Sequence, residues 1–397
     1  MNTILKRLIK KFWQRCRQIP IIWLFLLPAV LVLEGCTTAL RPIIGLPSVT
    51  SCRADGNACL SQGRRDFEAY RLAKITETNR KSGGYRLPSA PVAFIHPTRT
   101  KYSILLIHGL NDSAYYMADL ANFLYHQGFS VVTVLLPGHG TNTLEMSEIS
   151  AEQWRSEVEI GMKMASLIGE KTILGGFSLG ASLALDALDR HQEVAGLLLF
   201  SPAIRMKYYG SISSLTCLPG LGSMMIKTAL SPNPVKYKYR LVNGVCQLSR
   251  LMEHNIQEGE WYTSTSKKLH LLARRVNIPT FMALSYADQR ISPKAALDFA
   301  GSIVAPVLVT TFGKPKTKVI PVLANGGRIV PITDVGLPHS YLIRKTNPYN
   351  GQYNPCFDRL ANVLAGFLRK TLFATAPTAE TPYPSCEPMP ERLGGID

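Results

Sequence analysis

The sequence predicts an α/β fold with a mostly parallel sheet and helices on both faces, and three observations carry that expectation. Apolar runs of strand length recur at residues 102–107, 129–136, 172–175, 194–200 and 278–284. Amphipathic or strongly helix-forming stretches lie between them at 117–127, 151–167 and 181–188. Between the third run and its helix stands Gly176-Phe177-Ser178-Leu179-Gly180. There a serine at the head of a helix is flanked by glycines that only a very tight strand-to-helix turn requires.

The composition is that of a globular protein with ample core, 46% hydrophobic and 18% charged over 397 residues. The net charge is +17. Residues 1–36 contribute +5 of it, from Lys6, Arg7, Lys10, Lys11, Arg15 and Arg17 against Glu34, which leaves +12 for the rest. Such an excess favours an anionic surface or acidic ligands. Nucleic acid is not indicated, because no basic-aromatic stripe, zinc spacing or recognition helix accompanies the charge.

The first segment reads as an address. A basic stretch through Arg17 precedes an apolar run over 19–33, too short for a membrane span and of the length of a signal-peptide core. It ends in Leu33-Glu34-Gly35-Cys36, which resembles the lipobox of bacterial lipoproteins, with Glu34 departing from the usual small or apolar residue. That resemblance implies lipidation at Cys36. An uncleaved N-terminal anchor and an ordinary signal peptide are the alternatives, and each implies an exported protein of the cell envelope. Cysteine usage agrees with export: beyond Cys16 and Cys36, six remain. An even number in an oxidising compartment points to disulfides, with 15 connectivities open. Proximity favours Cys52 with Cys59, Cys217 with Cys246 and Cys356 with Cys386; buried free thiols are the other reading.

Residues 37–65 mix Pro, Gly, Thr and Ser without period and read as a tether, so the folded domain is expected over 66–374. The strand at 102–107 ends in His108-Gly109-Leu110-Asn111-Asp112, and the strand at 129–136 closes in Pro137-Gly138-His139-Gly140. After the strand at 194–200 the alternation lapses. Residues 203–260, with Tyr208, Leu218, Leu221, Met224, Met225 and Ile226 among glycines and prolines, read either as a lid over a site or as loop structure with its own small core. Alternation resumes with a helix to Val276 and the strand at 278–284, followed by Asp288 and a Pro-started helix. The stretch 302–333 is strand-rich without a clear register, and 375–397 is a Pro-rich tail.

A serine hydroxyl becomes a nucleophile when a positioned histidine takes its proton and a carboxylate fixes that histidine's tautomer. In folds that carry this elbow, the order along the chain is serine, acid, histidine. Of eight histidines only His339 follows the plausible acids. Asp288, at the carboxyl end of a strand, is the preferred acid. Asp334, five residues before His339, is the runner-up. The developing oxyanion needs two backbone donors, for which the N–H groups of Leu179 and Leu110 are the candidates. His108 and His139 precede the serine and are expected to order their loops.

Taken together, Leu105-Leu106-Ile107-His108-Gly109, Pro137-Gly138-His139-Gly140, the elbow, the strand leading to Asp288 and Pro338-His339 resemble the α/β-hydrolases, and within them the bacterial carboxylesterase and monoacylglycerol lipase group. The resemblance implies an eight-stranded, mostly parallel sheet flanked by helices, with a lid insertion after the sixth strand. It implies cofactor-free and metal-free hydrolysis of carboxylic esters. Ser178 would be the nucleophile, His339 the base and Asp288 its orienter, with Leu110 and Leu179 at the oxyanion. The spacing of Asp288 and His339 is longer than the group allows and points to an insertion between about 305 and 330. The expectation is a membrane-tethered serine hydrolase acting on small or lipid-derived esters through an acyl-enzyme. Its rivals are acyl transfer, thioester or amide cleavage by the same triad, and a non-catalytic envelope lipoprotein on the hydrolase scaffold.

Overall fold

The computed structural model describes residues 55–82, 87–207, 216–218, 220–227, 235–256, 272–315, 323–346, 353–373 and 384–386. The chain divides into two units, Met1–Ser48 and Val49–Asp397, and all the described residues belong to the second. Cys36 and the lipobox-like stretch therefore lie outside the described residues.

Eight strands form the main sheet: β1 (Ala93–Phe94), β2 (Thr100–Ile107), β3 (Ser130–Val134), β4 (Gly169–Phe177), β5 (Gly196–Phe200), β8 (Thr280–Ser285), β9 (Val307–Phe312) and β10 (Arg328–Thr333). Their spatial order is β1-β3-β2-β4-β5-β8-β9-β10. Every neighbouring pair is parallel except the edge pair β1–β3. Parallel strands buried on both faces read as continuous apolar runs, and β2 shows why. Leu105 and Ile107 pack into one core cluster, while Ile104 and Leu106 pack into a second on the other face. The interior strand β8 divides the same way, Met282 and Leu284 against Phe281 and Ala283.

Helices cover both faces. α2 (Ala118–His126) and α7 (Phe357–Leu372) bury their apolar sides in the second cluster. α3 (Ala151–Ile168), α4 (Leu179–Ala187) and α6 (Pro293–Ala300) bury theirs in the first. α3 begins at a capping box in which the Ser150 side chain and Gln153 satisfy each other's backbone donors, and α6 begins at Ser292 with Pro293 in its first turn.

Two expectations are corrected. The tether ends earlier than residue 65, because α1 (Gly56–Ser82) is a helix capped by Asp55, whose carboxylate accepts the N–H groups of Asn57 and Ala58. Its Leu60 and Phe67 enter the core beside α3, and Gly63 permits the approach, since a Cβ there would stand 2.7 Å from Ile168 Cγ2. The second correction concerns 305–330. Residues 307–312 form β9, paired along its length with β8, so the extra chain falls between β9 and β10.

The insertion follows β5, the strand after which it was expected. That strand is the fifth of the sheet in chain order, because only β1, β2, β3 and β4 precede it among the described residues. The described part of the insertion contains a hairpin, β6 (Met225–Lys227) with β7 (Tyr239–Leu241), and helix α5 (Val242–Ile256). The Cys217–Cys246 disulfide ties its earlier residues to α5, and a second disulfide joins Cys356 to Cys386. Cys59 is disulfide-bonded too, while Cys52 lies outside the described residues.

Candidate active site

β4 delivers its last residue, Phe177, directly into the elbow. Ser178 adopts φ 53° and ψ −111°, a backbone that an L-residue holds only when its surroundings enforce it. Its N–H donates to the Phe200 carbonyl at 2.9 Å, and its own carbonyl accepts from Ala181 and Ala203 at 3.1 and 3.2 Å. The flanking glycines are required sterically. A Cβ on Gly176 would stand 2.2 Å from the Gly180 carbonyl carbon. Leu179 opens α4, so its N–H is among the first-turn donors that have no partner within the helix, at the positive end of the dipole.

The acid and the histidine meet across 51 residues of sequence. The Nδ1–H of His339 donates to Asp288 Oδ2 at 2.6 Å, with the His339 side chain 10% exposed and that of Asp288 buried at 2%. Asp288 Oδ1 accepts the N–H groups of Arg290 and Ile291 at 2.7 and 3.0 Å. Burial pushes the Asp288 carboxyl up, but the charge and hydrogen bond of His339 and those two N–H groups outweigh it and hold the carboxyl below its ordinary value. The loop bearing His339 is fixed to the strand bearing the acid through Ser285. Its hydroxyl donates to the Leu337 carbonyl at 2.6 Å and accepts the Leu337 N–H at 2.9 Å.

The imidazole of His339 packs on the ring of Phe177, 4.7 Å between centroids, which brings it to the residue preceding Ser178. Asp334, the other candidate acid, lies elsewhere: 72% exposed and paired with Lys314. Leu110 sits in the turn after β2, where Gly109 is constrained because a Cβ there would stand 2.8 Å from the Phe177 ring. The following residue, Asn111, has φ 68°.

His108 and His139 support loops. The Leu136 N–H donates to His108 Nε2 at 3.0 Å, so the Nδ1–H of the neutral ring donates to the Gly109 carbonyl at 2.9 Å. His139 donates from Nδ1 to the Pro137 carbonyl at 3.1 Å and lies edge-on to His108. Burial lowers both: His108 falls well below its ordinary value, with His139 adding to the effect, and His139 falls to about 4.

Sequence reasoning did not single out the segment Val235-Lys236-Tyr237 of the insertion, which touches three of these loops. Ser113 Oγ donates to the Val235 carbonyl at 3.1 Å, and the Tyr237 N–H donates to the Asn111 carbonyl at 3.2 Å. The Tyr237 hydroxyl donates to the Gly138 carbonyl at 3.0 Å and accepts the Thr141 N–H at 2.9 Å. Its residue types form no motif, and the contacts span about a hundred residues, so no local signal announces them.

A model of the family described as "Serine aminopeptidase, S33" matches residues 98–308, just over half of the 397-residue chain. Ser178 and Asp288 fall inside that span and His339 after it. Over 101 residues the chain is 27% identical to the thermostable monoacylglycerol lipase of Bacillus sp. (strain H-257). That match covers 25% of this chain and 40% of the relative, less than half of the latter's length. Among solved structures, a soluble variant of monoglyceride lipase from Saccharomyces cerevisiae aligns with a TM-score of 0.52 at 13% identity, over 71% of this chain and 91% of that one. The monoacylglycerol lipase of Paleococcus ferrophilus aligns with a TM-score of 0.48 at 17% identity, over 70% and 97%. At such identities the likeness is one of fold.

Proposed function

Because the chain belongs to the serine aminopeptidase S33 family, with its α/β-hydrolase fold, we propose that it cleaves carboxylic esters through an acyl-enzyme formed on Ser178. The observation that carries this reading is the 2.6 Å hydrogen bond from His339 to Asp288, with the imidazole packed on Phe177 beside the elbow serine. Ser178 Oγ attacks the ester carbonyl while His339 Nε2 takes its proton. Asp288 accepts the Nδ1–H, which fixes the tautomer and stabilises the imidazolium. The N–H groups of Leu179 and Leu110 receive the oxyanion. His339 then protonates the leaving alcohol, and water attacks the acyl-enzyme by the same route in reverse.

Lipid-derived esters are the substrate class within this proposal. The relatives named above are monoacylglycerol and monoglyceride lipases, and the insertion exposes Leu218, Met224, Met225 and Ile226 close to the start of α5. Export with lipidation at Cys36 belongs to the proposal as well, and the disulfides of Cys59, Cys217 with Cys246 and Cys356 with Cys386 suit an oxidising compartment. Among the described residues no helix is long and apolar enough to cross a membrane. Amide cleavage is the second reading, favoured by the family's description as aminopeptidases.

The test compares wild type with Ser178→Ala on p-nitrophenyl esters of graded acyl length, on aminoacyl p-nitroanilides, and with a fluorophosphonate label. Ester turnover and labelling that both vanish in Ser178→Ala are expected. Turnover of the anilides alone would replace the ester reading with the amide one. A folded wild type with neither label nor turnover would remove the hydrolytic mechanism.

A further inference from the structure

Lys236 stands where the insertion meets both loops that the proposed chemistry requires. Its ammonium donates to the hydroxyl of Ser340, the residue after His339, and lies 3.8 Å from Asp112 Oδ1 in the loop that carries Leu110. The side chain is only 10% exposed, and the Asp112 side chain 3%. The ring of Tyr116, at the far end of the Asp112 loop, faces the ammonium at 5.9 Å. A lysine is withdrawn from water to this degree only when it is paired, so its position is set by its partners. Here one partner comes from each catalytic loop. The backbone on either side adds no freedom, because Val235 and Tyr237 are hydrogen-bonded to Ser113 and Asn111.

We infer that Lys236 is a positioning residue: its ammonium bridges Asp112 and Ser340, and so holds the loop that presents the Leu110 N–H at a fixed spacing from the loop that presents His339. Ser285 ties the His339 loop to the acid. Lys236 ties it to the oxyanion side, where the hydrogen bond of Arg344 to the Tyr115 carbonyl also joins the two segments. Displacing catalytic groups by about 1 Å lowers rates by about 10²-fold. The insertion is then part of the active-site frame, and its contribution to rate is separable from any contact with the acyl chain. This inference rests on the ester-hydrolase reading above.

Wild type, Lys236→Arg, Lys236→Met and the double variant Asp112→Asn/Lys236→Met would be compared on p-nitrophenyl butyrate and by the rate of fluorophosphonate labelling. Melting temperature and amide hydrogen exchange over 108–114 and 337–342 would be followed on the same preparations. Lys236→Met is expected to lower kcat by about 10- to 100-fold with KM within twofold, to slow labelling in parallel, and to speed exchange in both segments. Lys236→Arg, which keeps a donor to Ser340, is expected to recover most of that loss. The double variant leaves no uncompensated charge, so it is expected to melt near wild type while keeping the kcat loss and the faster exchange. A double variant with wild-type kcat and exchange would reduce Lys236 to a counter-charge for Asp112 and overturn the inference. A rise in KM alone would overturn it in favour of a substrate contact. An inactive wild type would refute ester hydrolysis, and the exchange measurements would still decide whether Lys236 couples the two loops.

Discussion

A Cβ placed on Gly180 would stand 2.0 Å from the carbonyl oxygen of Ile107. α4, the helix that starts just after Ser178, therefore runs against the end of β2, the strand that leads to the Leu110 turn. The two loops expected to supply the oxyanion donors are held at contact distance by a glycine.

Gly180→Ala is expected to force α4 away from β2, because the obstructing atoms are backbone and cannot turn aside. Overpacking of this kind costs about 1–3 kcal/mol or more. The variant should lose fluorophosphonate labelling as well as melting temperature. Gly366→Ala is the control, since nothing lies within 4 Å of a Cβ there, in the interior of α7. It should be neutral or stabilising by about 0.5–1 kcal/mol, as alanine is the better helix former. Equal melting temperatures for the two variants would contradict the steric argument.

Asp288→Asn retains the shape of the acid and removes its charge. An amide cannot hold His339 in the Nδ1–H tautomer against competing orientations, so kcat is expected to fall by about 10³- to 10⁴-fold with little change in KM. The pH dependence has a definite sign. The folded-state pKa of Asp288 lies below its ordinary value, so its contribution to stability is present above the unfolded carboxylate value and lost as pH falls through the folded one. An acid limb of kcat/KM above about pH 5 therefore belongs to a group other than Asp288.

How much of this was legible in the sequence follows from what each element buries. β2 and β8 announced themselves because both faces are covered, which leaves an unbroken apolar run. The elbow was legible because its pattern is local, two glycines around one serine, although only Gly176 is constrained from within the five residues and Gly180 is constrained by the Ile107 carbonyl. β1 was not, since two residues paired at an edge carry no period. α1 was missed because Leu60, Phe67 and Tyr70 are spread among charged residues and bury only part of the helix. β10, with a mixed burial pattern and Pro331 inside it, gave no alternation to read. The meeting of Asp288 with His339 could be anticipated only from chain order, and that of Lys236 with Asp112 and Ser340 not at all, because nothing in a sequence marks the far partner of a long-range contact.

Buried histidines predict an acid sensitivity that is independent of catalysis. His139 titrates near 4 when folded and near its ordinary 6.5 when unfolded, so between these values the unfolded chain binds more protons. Its stability contribution is complete above about pH 6.5 and is lost as pH falls toward 4. The loss comes to about 2 kcal/mol between pH 7 and pH 5 for this residue alone. His108 shifts in the same direction and steepens the slope. Urea unfolding at pH 7.5, 6.5 and 5.5 should show the decline, and His139→Phe, which cannot titrate, should flatten it. An unchanged slope in that variant would mean that His139 is not the source.

α1 supplies the last prediction, since its place in the core separates a folded element from a spacer. The Tyr70 hydroxyl donates to Glu157 Oε1 at 2.7 Å and accepts the Leu135 N–H at 3.0 Å, while Lys74 pairs with Glu157 Oε2 at 2.7 Å. A polar contact from α1 thus reaches the end of β3 and the middle of α3, beneath the Pro137–Thr141 turn. Tyr70→Phe leaves a buried carboxylate oxygen and a backbone donor without their shared partner, a change expected to cost about 1–3 kcal/mol. A Cys59→Ser chain cut before Asp55 keeps all of these contacts and should unfold like the longer Cys59→Ser protein, since neither carries the Cys59 disulfide. A chain cut before Asp66 loses Leu60, Gly63 and the Arg64 hydrogen bonds to the Ile95 and His96 carbonyls, and should unfold at clearly lower urea. A spacer predicts no difference between the two cuts, so urea midpoints measured side by side decide between a tether and a structural helix.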